Sequence, residues 1–352
     1  MLQFKFDAGT SRGILREKST WYIKIWDDKN PSVVGIGEAG PLVKLSIDDL
    51  PNFEEELAKI ISGIDGVECP TSINDVYLLT QSKALTIFPS IKFALETALL
   101  DLLNGGVRQI FRTSFSEDEE GISCNGLIWM GDLEDMLLQI TSKIDQGYDC
   151  IKMKIGSLNF EKECDILQYV RRKYYRSNIT LRVDANGAFN ADEALDKLNV
   201  LANYNLHSIE QPIAKGQEDL MRQLCKYSPV PIALDEELIG VVGQGQKRKL
   251  LEFIQPHYII LKPTLLGGFY ECEEWIALAE ELKIGWWMTS ALESNIGLNA
   301  VSQFTARYSP STHQGLGTGQ LYHNNISSPL EMMQGKIFYR KDKRWSSDLD
   351  AF

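Results

Sequence analysis

Long apolar runs are missing: nowhere do the 352 residues approach the roughly 20 consecutive apolar positions of a membrane-spanning helix. The N-terminal stretch MLQFKFDAGTSRG lacks a basic segment followed by an apolar run, so no secretory leader is expected. Cysteine pairs at zinc-binding spacing are also missing. Cys69, Cys124, Cys150, Cys164, Cys225 and Cys272 are scattered, and a chain this long needs no disulfide staple. A reducing, cytoplasmic setting is the expectation. Positive charge is not in excess either: the formal net charge is −12, with acids and bases mixed along the chain. That argues against a general nucleic-acid or anionic-membrane binder, and solubility alone accounts for the acidity. Short repeats, low-complexity tracts and obvious flexible linkers are absent.

What is present is an ordinary 44% apolar content, enough for one large domain and a smaller one. In the first hundred residues TWYIKIWDD and SVVGIGEA read as strands separated by turn signals. PSIKFALETALLDLLNGG reads as a helix, started by Pro89-Ser90 and stopped by Gly105-Gly106. Residues 1–118 are therefore expected to form an α+β capping domain. From about residue 121 the texture changes to eight short apolar runs: GISCNGLIW, CIKMKIG, ITLRVDANG, LHSIEQPI, PIALDEEL, YIILKPT, IGWWMTSALES and THQGLGTG. Helical patterns separate them, as in βαβ units whose parallel strands are covered on both faces.

The polar residues that end these runs keep a cadence. Lys154, Asp184, Glu210, Asp235, Lys262 and Ser290 follow one another at intervals of 30, 26, 25, 27 and 28 residues. Each interval holds one strand and one helix. The expected fold is thus α/β, a TIM-like (β/α)8-type barrel in the form (β/α)7β over residues 119–320, with segment 321–352 packing back on the cap. A barrel gathers its chemistry at the C-terminal strand ends. The rival, a doubly wound open sheet, would place ligand groups near one switch point instead.

In IKMKIG the alternation of a strand puts Lys152 and Lys154 side by side on one face. Three following strand ends carry carboxylates: Asp184, then Glu210, then Asp235 or Glu236, between which spacing does not choose. Oxygen ligands without histidine or cysteine suit a hard cation such as Mg²⁺. Taken singly these signals are weak, since Lys-x-Lys is commonly a solvated edge and Asp-x-Asn before glycine a turn. Independent surface features have no reason to share barrel spacing, and the joint pattern points to function.

The ordered set KMK, VDAN, IEQP, LDEE and LKP resembles the enolase superfamily, in its muconate-lactonizing subgroup, along the whole chain. The resemblance implies Mg²⁺, with Mn²⁺ as the alternative, held by Asp184, Glu210 and Asp235, leaving Asn186 and Glu236 as neighbours. It implies Lys154 and Lys262 on opposite faces of a small anionic carboxylate substrate, and proton removal next to that carboxylate. Burial and a like charge both disfavour a protonated amine, so the crowding of Lys152 against its neighbour would yield a usable base. Lysine at both faces suits either racemisation or syn dehydration.

MTSALESNIGLNA, with Ser290, Glu293 and Ser294, and HQGLGTGQLYHNN, with Gly315, Leu316, Gly317 and Gly319, are similar to the seventh and eighth strand segments of the o-succinylbenzoate synthase family. DAGTSRGILREK resembles that family's covering loop, where Arg12 and Arg16 would attract a dianion, and GEAGPL (37–42) its second cap loop. Members acting on dipeptides carry Asp-x-Asp at the eighth strand end, whereas Leu316, Gly317 and Thr318 stand here. The resemblance therefore implies dehydration of 2-succinyl-6-hydroxy-2,4-cyclohexadiene-1-carboxylate in menaquinone synthesis. The alternative is an N-succinylamino acid racemase or another epimerase or cycloisomerase of the subgroup. Neither nucleic acid nor membrane is an expected partner, and a homo-oligomer is compatible with both readings.

Overall fold

The computed structural model describes residues 1–10, 13–81, 85–156, 158–175 and 178–346. Two antiparallel hairpins open the chain. Strand β1 (Leu2–Thr10) pairs with β2 (Gly13–Lys18), and β3 (Trp21–Asp27) with β4 (Asn30–Ala39). The segment expected as a covering loop, DAGTSRGILREK, is thus mostly hairpin: alternation of small, apolar and charged residues there supports two paired strands. Helices α1 (Phe53–Ile64), α2 (Ile73–Thr80) and α3 (Pro89–Leu103) follow.

Helix α3 is buried continuously from Pro89 to Leu102, its polar residues Ser90, Lys92, Glu96, Thr97 and Asp101 included, so no stripe of it faces solvent. One side carries β4. A Cβ at Gly35 would lie 1.9 Å from Ala98 O, and one at Gly37 1.9 Å from Ala94 O, so only glycine lets the strand lie on the helix backbone. The barrel packs on the helix as well, with the Phe93 and Phe269 rings edge to face at 5.3 Å.

The run GISCNGLIW splits in two. Strand β5 (Ile122–Ser123) pairs antiparallel with the C-terminal hairpin, while β6 (Gly126–Ile128) begins the parallel sheet. The sheet continues in order through β7 (Cys150–Lys154), β8 (Thr180–Asp184), β9 (Ser208–Glu210), β10 (Ile232–Leu234), β11 (Tyr258–Leu261) and β12 (Gly285–Met288). Covering helices are α4 (Leu133–Asp145), α5 (Phe160–Lys173), α6 (Ala191–Leu201), α7 (Glu218–Tyr227), α8 (Gln244–Ile254), the short α9 (Pro263–Leu266), α10 (Gly268–Glu281) and α11 (Asn295–Ala306). The eighth run contributes single parallel bridges, Cys124 to Gln314 and Thr289 to Gly315, which join β12 back toward the first stave. The barrel with an N-terminal α+β cap is therefore the architecture adopted.

Residues 321–324 run beside β1, where Lys5 N donates to Leu321 O and His323 N to Gln3 O. The hairpin β13 (Leu330–Met333) and β14 (Lys336–Tyr339) continues onto β5. Among the described residues, no helix is long and apolar enough to cross a membrane.

Candidate active site

Parallel register turns the sequence cadence into a ring. Lys154 is the partner of Asp184, Asp184 of Glu210, and Glu210 of Ala233, two residues short of Asp235. Residues two apart on a strand share a face, so Lys152, Lys154 and the three carboxylates all reach the same strand ends. Lys262 follows β11, four staves from β7. In an eight-staved barrel that places it on the opposite wall, with the carboxylate strands between. Asp184, Glu210 and Asp235 are only 1–2% exposed.

The Lys152 ammonium lies 2.9 Å from Asp184 Oδ2 and 2.6 Å from Glu210 Oε2. Lys154 Nζ is 3.2 Å from Asp184 Oδ2 and donates to Asn186 Oδ1 at 2.6 Å. Lys262 donates to Asp235 Oδ2 and stands 4.0 Å from Glu210 Oε1. The Asn186 amide, held at φ +43°, donates in turn to Glu236 Oε1 at 3.0 Å. Lys154 thus faces two acceptors as well as its lysine neighbour, which the Lys-x-Lys spacing alone does not reveal.

Burial opposes charge on Lys152, but Asp184 and Glu210 outweigh it and hold the ammonium above lysine's usual range. Lys262 is likewise raised against burial by Asp235 and Glu210. For Asp184, burial is overcome by Lys152, Lys154 and Lys262, which keep the carboxyl well below the usual range. Glu210 moves the other way, pushed up to about 8 by burial and by Asp184. Burial and Asp235 push Glu236 to about 7.

Among the described residues, no three acidic, histidine or cysteine side chains stand ready as a metal cage, and lysine ammonium groups lie against Asp184 and Asp235. The donor set nevertheless fits a hard divalent cation. It offers carboxylates on three successive strand ends, and Glu210 Oε1 is buried without a hydrogen-bond partner among the described residues. Such an atom is costly to bury unless something ligates it.

A cavity of about 770 Å³ opens over the ring, lined by Lys152, Lys154, Asp184, Asn186, Glu236 and Lys262. Glu210 and Asp235 sit behind this lining. Ser290, Gly315 and Gly317 reach the cavity, and the Ser290 and Thr318 hydroxyls are 2.5 Å apart. Glu293 and Ser294 are held elsewhere: Glu293 accepts from Thr264 Oγ1 of the barrel at 2.5 Å, and Ser294 N and Oγ donate to Glu38 of the cap at 2.7 and 2.5 Å. Leu316 is fully buried in the core. Gly319 packs near Leu298 and Asn295. Arg16 is exposed and pairs with Asp7 at 2.9 Å, and Arg12 lies outside the described residues. From the cap, Phe6, Ile14, Leu42 and Val43 cover the mouth.

Gln211 was not singled out from the sequence. It has φ +40°, its Nε2 donates to Glu237 Oε2 and Ile213 O at 3.0 Å, and its Oε1 accepts from Asp235 N at 3.2 Å. It therefore fixes the β9 end against the β10 end, between two carboxylates of the ring. Its place next to Glu210 in IEQP was the available signal.

The family model described as enolase C-terminal domain-like matches residues 135–342, more than half of the chain. The chain belongs to the enolase superfamily. Divalent-metal use comes with that membership. This enolase-superfamily chain is 44% identical to the o-succinylbenzoate synthase of Desulfotalea psychrophila, with 96% of each covered. The crystal structure of MenC from that organism superposes with a TM-score of 0.82 and 40% identity, over 96% of this chain and 97% of that one. The N-succinylamino acid racemase of Thermus thermophilus is 32% identical over 59% of this chain and 54% of its own length.

Proposed function

We propose that the chain is a Mg²⁺-dependent lyase that dehydrates 2-succinyl-6-hydroxy-2,4-cyclohexadiene-1-carboxylate to 2-succinylbenzoate, in menaquinone biosynthesis. The relation to the Desulfotalea psychrophila synthase carries this reading, because it spans nearly all of both chains. A lysine on each wall of the cavity suits several reactions of the superfamily and does not choose among them.

In this reading Asp184, Glu210 and Asp235 hold the ion, which when bound supplies positive charge at the substrate's ring carboxylate. Lys154 takes the proton from the carbon bearing that carboxylate. Lys152, kept charged by Asp184 and Glu210, adds a fixed positive field beside it. The proton on Lys154 then passes to the hydroxyl leaving from the adjacent ring carbon on the same face, and water departs as the ring becomes aromatic. Lys262, on the far wall, stabilises the developing negative charge. All six cysteines are free, in keeping with a cytoplasmic enzyme.

The test is turnover of the cyclohexadiene by Mg²⁺-loaded protein. Appearance of 2-succinylbenzoate, lost on chelation, is expected; a folded, loaded preparation that forms none overturns the proposal. The opposed lysines also support N-succinylamino acid racemisation, with one amine on each face of the α-carbon. That activity predicts exchange of the α-proton in deuterated water together with racemisation, and comparison of kcat/KM for the two substrates ranks them.

A further inference from the structure

The cavity carries a second polar cluster, on the first stave of the barrel. Three side chains lining it lack a hydrogen-bond or ion-pair partner among the described residues: the Lys143 ammonium near the end of α4, the Tyr148 phenol before β7 and the Asn125 amide before β6. They are neighbours. Lys143 Nζ stands 5.0 Å over the Tyr148 ring, and a Cβ at Gly317 would lie 3.6 Å from Tyr148 Oη and 3.7 Å from the main-chain carbonyl oxygen of Asn125. Glycine at 317 leaves open the space that these groups border.

The contrast with the lysine ring is chemical. Lys152, Lys154 and Lys262 each face a carboxylate of this chain, whereas Lys143 is half-buried and lies over the Tyr148 ring, with no ion-pair partner among the described residues. Burial pushes Lys143 below the usual lysine range. An amine, a phenol and an amide bordering one space are what a carboxylate requires: a counter-charge and O–H or N–H donors. Among the described residues, no carboxylate pairs with Lys143.

We propose that Lys143, Tyr148 and Asn125 form the subsite for the second carboxylate of a dicarboxylate substrate. Lys143 is the charge partner and Tyr148 a hydrogen-bond donor, with the Asn125 amide alongside. The inference deepens the function proposed above and rests on it for the identity of the dianion, whose other carboxylate belongs to the lysine ring. The succinyl tail is then read by Lys143, outside the proton-transfer machinery.

The experiment compares Mg²⁺-loaded wild type, Lys143→Met and Lys143→Arg in binding 2-succinylbenzoate and 2-butanoylbenzoate, in which a methyl replaces the tail carboxylate. Loss of a charged hydrogen bond predicts that Lys143→Met weakens 2-succinylbenzoate by about tenfold or more. Binding of 2-butanoylbenzoate should stay within about twofold, and Lys143→Arg should restore most of the loss. In turnover, KM rises by the same factor while kcat holds within about threefold. Equal losses for both ligands, or no loss for either, overturn the subsite. Wild-type turnover with an unaltered Lys143→Met sinks the subsite and leaves the proposed function standing. Absent turnover, with a Lys143-dependent preference for 2-succinylbenzoate, sinks that function and supports the subsite.

Discussion

Lys154 and Asp184 are register partners on adjacent strands, and a single carboxylate oxygen serves two amines: Asp184 Oδ2 lies 3.2 Å from Lys154 Nζ and 2.9 Å from Lys152 Nζ. The carboxylates and the candidate base are therefore one electrostatic unit. A change at either end alters the field at the other.

Lys154→Ala should remove proton transfer while leaving the fold intact, because the side chain lines a cavity and its loss breaks no core packing. General-base catalysis contributes about 10²–10⁴-fold, so kcat should fall at least within that range. Lys262→Ala should also lower kcat, by about 10²-fold, as loss of one charge aimed at the developing anion. Steady-state kinetics with a circular-dichroism check of folding measures both. Substantial activity in Lys154→Ala would reassign the base.

Asp184→Asn keeps the shape and removes the charge that two ammonium groups share. Mg²⁺ affinity should drop by about 100-fold or more, read by titration calorimetry on chelator-stripped protein. An unchanged affinity would remove Asp184 from the ligand set.

Much of this site was legible in the sequence because a parallel barrel converts one spacing into one place. Successive strand ends lie side by side, so intervals of 25–30 residues between Lys154 and Ser290 mark a ring without knowledge of any contact. Side-chain direction beyond the strands was less legible. Glu293 and Ser294 follow the seventh strand as expected, yet Ser294 faces the cap, because it caps α11 and Glu38 reaches across to it, and Glu293 is taken up by Thr264. The hairpin at residues 2–18 was obscured by turn-forming and charged residues that also read as a loop. Gln211 was hidden for another reason: its role depends on a positive φ and on Glu237 of the next strand end, both properties of the assembled sheet.

Gln211→Leu tests that reading. The substitution strands the Asp235 N–H and the Glu237 carboxylate, at a cost of about 1–3 kcal/mol for each buried group left unpaired. Denaturant unfolding should show the loss of stability. Mg²⁺ affinity should fall by about tenfold or more, since residues that orient ligands affect binding without touching the ion. A variant as stable as wild type with full metal affinity would reduce Gln211 to a bystander.

Asp48 provides a pH-dependent test away from the lysine ring. It is fully buried, and its Oδ2 accepts from Ser90 N at 2.9 Å and Ser90 Oγ at 2.6 Å, at the start of α3. Burial outweighs these hydrogen bonds and pushes the carboxyl up to about 6 from its usual 3.8. A carboxyl raised on folding favours the folded state when protonated, so its contribution is complete below pH 3.8 and is lost as pH rises through about 6. At 1.36 kcal/mol per pH unit, the difference is about 3 kcal/mol. Asp48→Asn mimics the protonated form and keeps an acceptor for Ser90. Its stability relative to wild type should therefore improve by up to about 3 kcal/mol between pH 4 and pH 8, measured by urea unfolding at both. A difference that is flat with pH would mean that Asp48 is solvated as freely in the folded protein as in the unfolded chain.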